Sequence, residues 1–258
     1  MNQPTQLLAR LDAIGQALAQ MPIARALIAL GSVGPDLDRL DAFSDLDFFV
    51  ITAPGQQSVL LADLSWLARI VPIAFAFQNT PDGYKLLFDD GIFCEFAIFD
   101  EAALAGIPFA PGRIVWRRDT VDPQISQPQL MQPTMSCHTE DWLLGEALTN
   151  LYVGLCRDQR GEHLSAVRFI QSYAVDRVVE WVAMTQLVAG GAPDPFSPER
   201  RIEQRYPDLA QQLPQFVQGY DRSRESAAAI LRFVAAYTVI PPALQERILA
   251  LCEPQPHG

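Results

Sequence analysis

One stretch near the N-terminus constrains the fold of this chain most. The apolar run Ala26–Leu30 predicts a strand that ends abruptly at Gly31 and Ser32. Asp45 and Asp47 stand at the head of a second apolar run, which predicts another strand. Alternate residues of a strand share a face, so both carboxylates point the same way, about 7 Å apart along the backbone. Such a pair is tolerable only beside a strong compensating charge, and a hard cation such as Mg²⁺ suits oxygen-only ligands.

A third acid lies in a later pair of apolar runs. The two runs flank residues 89–91, Asp-Asp-Gly, and this pattern predicts a β-hairpin. Glu95 is the lone acid of the second run, among apolar neighbours, where a carboxylate is costly unless it is paired or bound to metal. The alternative is that Glu95 faces solvent on a half-exposed strand. We expect Glu95, Asp45 and Asp47 to lie on adjacent strands of one sheet.

Strand patterns are confined to about the first 118 residues. In that part we also expect an opening helix, a second helix and two further strands, at Gln6–Met21, Gln57–Ile70, Pro72–Gln78 and Ile114–Trp116. Residues 121–133 are rich in Pro and Gln and predict a linker. Beyond it, helical periodicity predicts helices at Glu140–Gln159, Glu162–Val188, Pro198–Leu213, Ser223–Tyr237 and Pro242–Cys252. We therefore predict an α+β protein, with a mixed sheet and helices in residues 1–120 and an all-α bundle in residues 134–258.

Charge and composition restrict the partners. The chain of 258 residues carries a formal net charge of −11, which argues against a nucleic-acid partner and suits a cationic small molecule. Its single lysine, Lys85, we attribute to genome composition. The four cysteines are not at metal-ligand spacing. No signal-peptide pattern and no apolar run of membrane-spanning length occurs, so we expect a cytoplasmic protein that does not bind membranes.

The acids and the glycine-serine bend suit one kind of chemistry. Gly31 lets the backbone approach a phosphate closely, and Ser32 offers a hydroxyl and an N–H. If a helix follows the bend, its N-terminus favours an anion. One or two Mg²⁺ ions could bridge phosphate oxygens and stabilise the attacking and leaving oxygens of an in-line displacement. These are the parts for nucleotidyl transfer, in which positioning and charge stabilisation provide most of the acceleration.

The motifs together resemble a known superfamily. Leu30-Gly31-Ser32, then Asp45-Leu46-Asp47-Phe48, then the isolated Glu95 are similar to the pattern of the polymerase-β-type nucleotidyltransferases. Within that superfamily the chain most resembles the two-domain, homodimeric lincosamide nucleotidyltransferases. Two stretches, Phe88–Phe99 and Leu151–Arg168, and the overall length carry this closer resemblance.

The resemblance implies roles for particular residues. Residues 1–120 would be the nucleotidyltransferase catalytic domain. The implied metal ligands are Asp45, Asp47 and Glu95, and Glu95 is alternatively the general base. The implied nucleotide-binding residues are Gly31, Ser32, Ser44 and Arg168. The roles of Arg157, Arg160 and His163 stay open, because solvated helix faces explain each of them equally well.

The resemblance also implies an activity. It predicts a Mg²⁺-dependent enzyme, with NTP as co-substrate, that transfers a nucleoside monophosphate to a hydroxyl of a small molecule. A lincosamide or related cationic antibiotic is the specific acceptor that we expect, and a homodimer is the expected assembly. One alternative is an antitoxin-like or regulatory transferase that modifies a protein. Another is a non-catalytic nucleotide-binding module, against which the complete set of three acids argues.

Overall fold

The structure is a computed structural model that describes residues 3–130, 138–185, 194, 197 and 199–253. The chain divides into two compact units, residues 1–133 and residues 134–258. Pro198 and residues 186–188, at which helix boundaries are predicted above, lie outside the described residues. No described helix combines the length and the apolar character needed to cross a bilayer.

The first unit contains the mixed sheet that the sequence predicts. Its six strands are β1 (Ala24–Ala29), β2 (Leu46–Thr52), β3 (Ile73–Thr80), β4 (Gly83–Phe88), β5 (Phe93–Asp100) and β6 (Arg113–Arg117). Their order across the sheet is β3-β4-β5-β2-β1-β6. The β2–β5 pair is parallel and all other pairs are antiparallel. The β4–β5 hairpin turns at Gly91, as its sequence pattern predicts.

One face of the sheet is covered by the opening helix α1 (Gln3–Ala19). The helix forms because its apolar residues recur every three or four positions and therefore make one continuous stripe. Four of them are fully buried, namely Leu7, Leu11, Ile14 and Leu18. They join the residues of β2 and β5 that point to the same side, Leu46, Phe48, Cys94 and Phe96 among them. The register of β2 and β5 follows from this burial, because the residues between these point to the opposite face.

The opposite face is covered only in part. Helix α4 (Glu101–Ala105) packs against β5, and the 3₁₀ turn Pro123–Ser126 packs against β6, around a small second core. That core includes Ala26, Ile28, Ile51, Phe99, Leu104, Phe109 and Val121. Residues 121–130 of the predicted linker are thus attached to the first unit, where Gly112 N donates to Ser126 O over 2.8 Å. The beginnings of β2 and β5 are left outside this small core.

The helix predicted over Gln57–Ile70 is wrong in its continuity. The structure has two short helices, α2 (Gln57–Ala62) and α3 (Ser65–Ala68). Asp63 ends the first helix with extended backbone, and its carboxylate accepts hydrogen bonds from the N–H and hydroxyl of Ser65, over 2.9 and 2.8 Å. Short polar side chains of this kind compete with the helical backbone for hydrogen bonds, so the periodic pattern is interrupted here.

The described part of the second unit is helical, which confirms the predicted bundle. Its helices are α5 (Glu140–Gln159), α6 (His163–Val167), α7 (Val175–Thr185), α8 (Ile202–Arg205), α9 (Pro207–Phe216), α10 (Ser223–Ala235) and α11 (Pro242–Cys252). The helix predicted from Glu162 is not continuous α-helix, because a π-helical segment, Arg168–Ala174, joins α6 to α7. The helix predicted over Pro198–Leu213 is wrong in its continuity, since residues 199–201 form a turn and two helices, Ile202–Arg205 and Pro207–Phe216, follow it.

Candidate active site

A row of four side chains crosses the open face of the sheet. Asp47 of β2 is the direct partner of Glu95 of β5 in the parallel ladder. Glu95 in turn lies opposite Lys85 of β4, and Lys85 lies opposite Phe77 of β3. Residues directly opposite one another in neighbouring strands point to the same face. The sheet therefore brings together two of the three predicted acids and adds a lysine that the sequence motifs did not assign.

The glycine-serine bend lies beside Asp47. Leu30 N donates to Asp47 O over 2.8 Å at the end of β1, so the bend begins directly next to β2. Gly31 has a φ of +52°, a left-handed conformation that favours glycine. A Cβ atom at Gly31 would lie 3.6 Å from Asp47 Oδ2, so the lack of a side chain keeps the space beside this carboxylate open. Ser32 is half-buried in the same bend.

The bend continues as a 3₁₀ turn, Gly31–Val33, and not as an α-helix. The favourable helix N-terminus that an α-helix would bring to an anion is therefore absent from this loop, and any phosphate contact depends on individual N–H groups. Gly34 closes the turn where no side chain fits, since a Cβ atom would lie 2.6 Å from Ala29 O. Arg113 of β6 then fixes the loop by donating to Val33 O over 2.8 Å and to Gly34 O over 3.3 Å. No motif around Arg113 indicates this role.

Glu95 has two polar partners and is not enclosed. Its Oε1 accepts a hydrogen bond from Asn79 Nδ2 over 3.0 Å, and Lys85 Nζ lies 3.3 Å from its Oε2. The Glu95 side chain is 46% exposed. The expectation that apolar neighbours surround this carboxylate is wrong, because Cys94 and Phe96 point to the buried face of the sheet. The single lysine, attributed above to composition, has a structural partner in the candidate site.

Asp47 and Glu95 line an open cleft of about 370 Å³. Its lining residues are Leu30, Asp47, Phe48, Phe49, Asn79, Thr80, Gly83, Glu95, Phe96, Ala97 and Phe99. Asp45 is half-buried, directly precedes β2 and is not among the lining residues. The pKa of the Cys94 thiol is raised to about 12, mainly by burial; the charge of Arg10 opposes the rise, and the charges of Asp47 and Asp45 contribute to it. Asp45 and Asp47 flank Leu46, the direct partner of Cys94 in β5.

The donor set fits a hard divalent cation. Within the described residues, no group of three or more His, Cys, Asp or Glu side chains is arranged to hold a metal, so the predicted three-acid cluster is not preformed. Glu95 is engaged by Lys85 and Asn79, and Asp45 lies ahead of the strand. Mg²⁺, however, is usually held by one or two carboxylates together with substrate phosphates and water. The carboxylates of Asp47 and Glu95, side by side on one face of the sheet, provide two such ligands.

Two other predicted site residues, Ser44 and Arg168, are not part of this row. Ser44 belongs to an exposed turn, where its Oγ accepts from Asp41 N over 3.0 Å and donates to Asp41 Oδ1 over 3.2 Å. Both hydrogen bonds of the Ser44 hydroxyl are thus made within this turn. Arg168 lies in the second unit, as do Arg157, Arg160 and His163. The nucleotide contacts assigned to Ser44 and Arg168 therefore stay predictions.

Comparisons with known proteins find only distant similarity. No protein-family model matches the chain, and no curated protein matches it. A solved aminoglycoside 6-adenyltransferase from Bacillus subtilis is 13% identical, with a TM-score of 0.31, over 98% of each chain. A nucleotidyltransferase-like protein from Exiguobacterium sibiricum is 13% identical, with a TM-score of 0.33, over 89% of this chain and 74% of its own. Similarity at this level is too low to assign a family or an activity to the chain.

Proposed function

We propose that this protein is a divalent-metal-dependent nucleotidyltransferase that transfers a nucleoside monophosphate from NTP to a hydroxyl of a small molecule. The observation that carries the proposal is the facing pair of Asp47 and Glu95 with the Gly31 bend beside it. Two carboxylates on one open sheet face, next to a glycine bend that lets backbone approach a phosphate, match the needs of a metal-bound triphosphate. The three-acid resemblance described above supports the same class of reaction.

In this proposal each group has a defined task. Asp47 holds the metal, and the backbone of the Gly31 bend binds the nucleotide phosphates. A divalent ion, when bound, neutralises charge on the phosphate oxygens. The acceptor hydroxyl attacks the α-phosphorus, the bond to the leaving pyrophosphate breaks, and the hydroxyl proton passes to a base. Glu95 is the candidate base, since it stands beside Asp47 and is accessible to an acceptor.

The surroundings of Asp47 and Glu95 favour a cationic acceptor with an apolar part. Phe75 and Phe77 of β3 are 55% and 56% exposed, and Phe77 continues the row formed by Glu95 and Lys85. An aromatic surface two strands away from Glu95, with Lys85 between them, suits an acceptor whose hydrophobic group is separated from the amine that reaches the carboxylates. A lincosamide or a related cationic antibiotic combines these features with free hydroxyls, and we propose this class as the acceptor. A homodimer, implied by the same resemblance, is proposed as the assembly and is tested by light scattering.

The decisive experiment is an acceptor screen. The protein is incubated with Mg²⁺, each of the four NTPs and a panel of hydroxylated antibiotics, and pyrophosphate release is measured together with the mass of the acceptor. Asp47→Asn should lower the rate by about 10²-fold or more, since metal stabilisation of the transition state is worth several kcal/mol. Asp38→Asn, an exposed acid of the preceding loop, is the matched control and should retain full activity. If no acceptor gains a nucleotide, the antibiotic assignment fails.

A protein acceptor is the second candidate, because the same exposed phenylalanines could contact a protein surface. Labelled ATP that marks a protein and no small molecule would support it. A non-catalytic module is distinguished by ATP binding with and without Mg²⁺. Metal-dependent binding that is lost in Asp45→Asn or Asp47→Asn supports an enzyme, whereas metal-independent binding supports the module.

A further inference from the structure

The second unit has a cavity of its own with a concentration of positive charge. Its volume is about 520 Å³, and it is lined by Arg157, Gly161, Glu162, His163, Leu164, Ser165, Arg168 and Tyr220. Two arginines and a histidine face one space in a chain whose formal net charge is −11. The acidic Glu162 is offset, because Arg160 Nε lies 3.5 Å from its carboxylate. The cavity therefore differs in sign from the protein as a whole.

A buried aspartate orients the histidine of this cavity. Asp158, only 8% exposed, lies 2.9 Å from His163 Nδ1 and accepts a hydrogen bond from Arg224 Nε over 2.7 Å. Burial acts to raise the Asp158 pKa, but the hydrogen bonds from Arg224 and His163 outweigh it, and the pKa is lowered. An ionised carboxylate at Nδ1 keeps a proton on that nitrogen and fixes the ring. Nε2 has no hydrogen bond to any described residue.

Arg157 is held firmly yet keeps unused donor capacity. Its Nη1 donates to Ser165 Oγ over 2.6 Å, and its guanidinium lies 4.3 Å from the centre of the Phe169 ring. Its Nε is buried and has no hydrogen-bond partner in the described part of the chain. Its Nη2 is not enclosed and makes no hydrogen bond to any described residue, and Arg157 lines the cavity, so this end of the guanidinium can donate to a ligand there.

Arg168 completes the cluster from the other side. It is exposed and makes no hydrogen bond or ion pair with any described residue. It begins the π-helical segment Arg168–Ala174, and such segments are frequent at functional sites. The segment is packed tightly on α5, since a Cβ atom at Gly154 would lie 2.5 Å from Ile170 Cγ1. The backbone that carries Arg168 is thus fixed while its side chain stays free to bind.

We propose that this cavity is a phosphate-binding site in which Arg157, Arg168 and His163 donate hydrogen bonds to the phosphate oxygens. Arginine binds phosphate through two parallel N–H···O bonds, and a carboxylate-oriented histidine adds a third directed donor. The phosphate belongs either to a nucleoside triphosphate or to a separate phosphorylated ligand. The proposal goes beyond the transferase assignment and does not depend on Asp47 or Glu95.

The test is pyrophosphate binding measured by isothermal titration calorimetry on the full chain, in EDTA and at constant ionic strength. Wild type should bind saturably, and Asp47→Asn should bind equally well, which separates this site from the metal-dependent chemistry. Arg168→Gln should weaken binding by about tenfold or more, as expected for losing a charge-assisted hydrogen bond. Arg247→Gln is the matched control, because Arg247 is exposed on α11 and does not line the cavity, and it should bind like wild type.

A second variant tests His163 and keeps a hydrogen bond to Asp158. His163→Asn keeps a donor toward Asp158 and loses Nε2, so it should weaken pyrophosphate binding while the midpoint of thermal unfolding stays near that of wild type. Displacement of pyrophosphate by ATP in EDTA identifies the triphosphate as the source, and no displacement identifies a separate phosphorylated ligand. Absence of saturable binding in wild type, or an equal loss in Arg168→Gln and Arg247→Gln, overturns the proposal.

Discussion

Lys85 Nζ lies 3.3 Å from Glu95 Oε2, and Lys85 is the only lysine in the chain. The register of the sheet puts Glu95 between Lys85 on one side and Asp47 on the other. Glu95 thus has a positive partner on β4 and a negative neighbour on β2. A divalent ion that binds between the two acids must compete with the lysine for Glu95.

Removal of the lysine charge should therefore strengthen metal binding. We expect Lys85→Met to lower the Kd for Mn²⁺ by about fivefold, since two unit charges about 4 Å apart in water interact by about 1 kcal/mol. Electron paramagnetic resonance of free Mn²⁺ measures this Kd. Stability should change by less than about 1 kcal/mol, because both partners of this ion pair are substantially exposed.

The control is Arg69→Met, which removes one positive charge from an exposed position in the same unit. It should leave Mn²⁺ binding unchanged. If Lys85→Met binds Mn²⁺ no more tightly than Arg69→Met does, competition between Lys85 and the metal is excluded.

The assignment of Glu95 as base predicts a particular kinetic defect. With the acceptor identified, Glu95→Gln should lower kcat by about 10²–10⁴-fold at saturating Mg²⁺, the range for loss of a general base. Calorimetry should show that Mg²⁺-dependent ATP binding falls less than in Asp47→Asn. Glu101→Gln, an acid-to-amide change in the same unit, is expected to keep normal kcat. If Glu95→Gln loses kcat and ATP binding to the same extent, Glu95 acts as a metal ligand and not as the base.

The loop beside Asp47 should not tolerate a side chain at Gly34. An added Cβ would lie 2.6 Å from Ala29 O, so the backbone must shift. We expect Gly34→Ala to lower the free energy of unfolding by about 1–3 kcal/mol, as overpacking does. Urea unfolding measures this change. Gly145→Ala is the contrasting variant, since a Cβ there meets nothing within 4 Å on helix α5, and it should be neutral or stabilising.

Asp158 makes the stability of the second unit depend on pH. Its pKa is lowered below the ordinary value of 3.8, so the folded protein binds this proton less tightly than the unfolded chain does. Its stabilising effect is present above pH 3.8 and is lost as the pH falls through the folded pKa. We expect Asp158→Asn to cost about 1–3 kcal/mol at pH 7, because Arg224 loses its charged partner.

Urea unfolding of wild type and Asp158→Asn at a series of pH values measures this effect. The difference in the free energy of unfolding between the two proteins should become smaller as the pH falls below about 4, the ordinary pKa range of an aspartate. Asp141→Asn, an exposed acid at the start of α5, should show no such difference at any pH. If the free energies of unfolding of wild type and Asp158→Asn differ by the same amount at every pH, Asp158 is not ionised in the folded protein.

Local patterns in the sequence are sufficient for the fold class. The alternation in β2 and β5 and the stripe of α1 are short-range features, and the register of a strand follows from which of its residues must be buried. The helices Glu140–Gln159 and Pro242–Cys252 likewise begin and end where helical periodicity predicts. The helix is interrupted at Asp63 because a side chain competes for backbone hydrogen bonds, and at the π-helical segment where the chain packs against another helix. The spacing of apolar residues in the sequence predicts neither interruption.

For the candidate site, the sequence by itself identified Asp47, Glu95 and the Gly31 bend, because each is an irregularity in an otherwise apolar pattern. Only the tertiary structure decided that Asp47 and Glu95 are direct partners, since the parallel pairing of β2 and β5 joins residues 48 positions apart. It also decided that Lys85, Asn79 and Arg113 belong to the site. Polar residues of these kinds are common in any surface strand, and only the pairing of strands determines which of them face the acids.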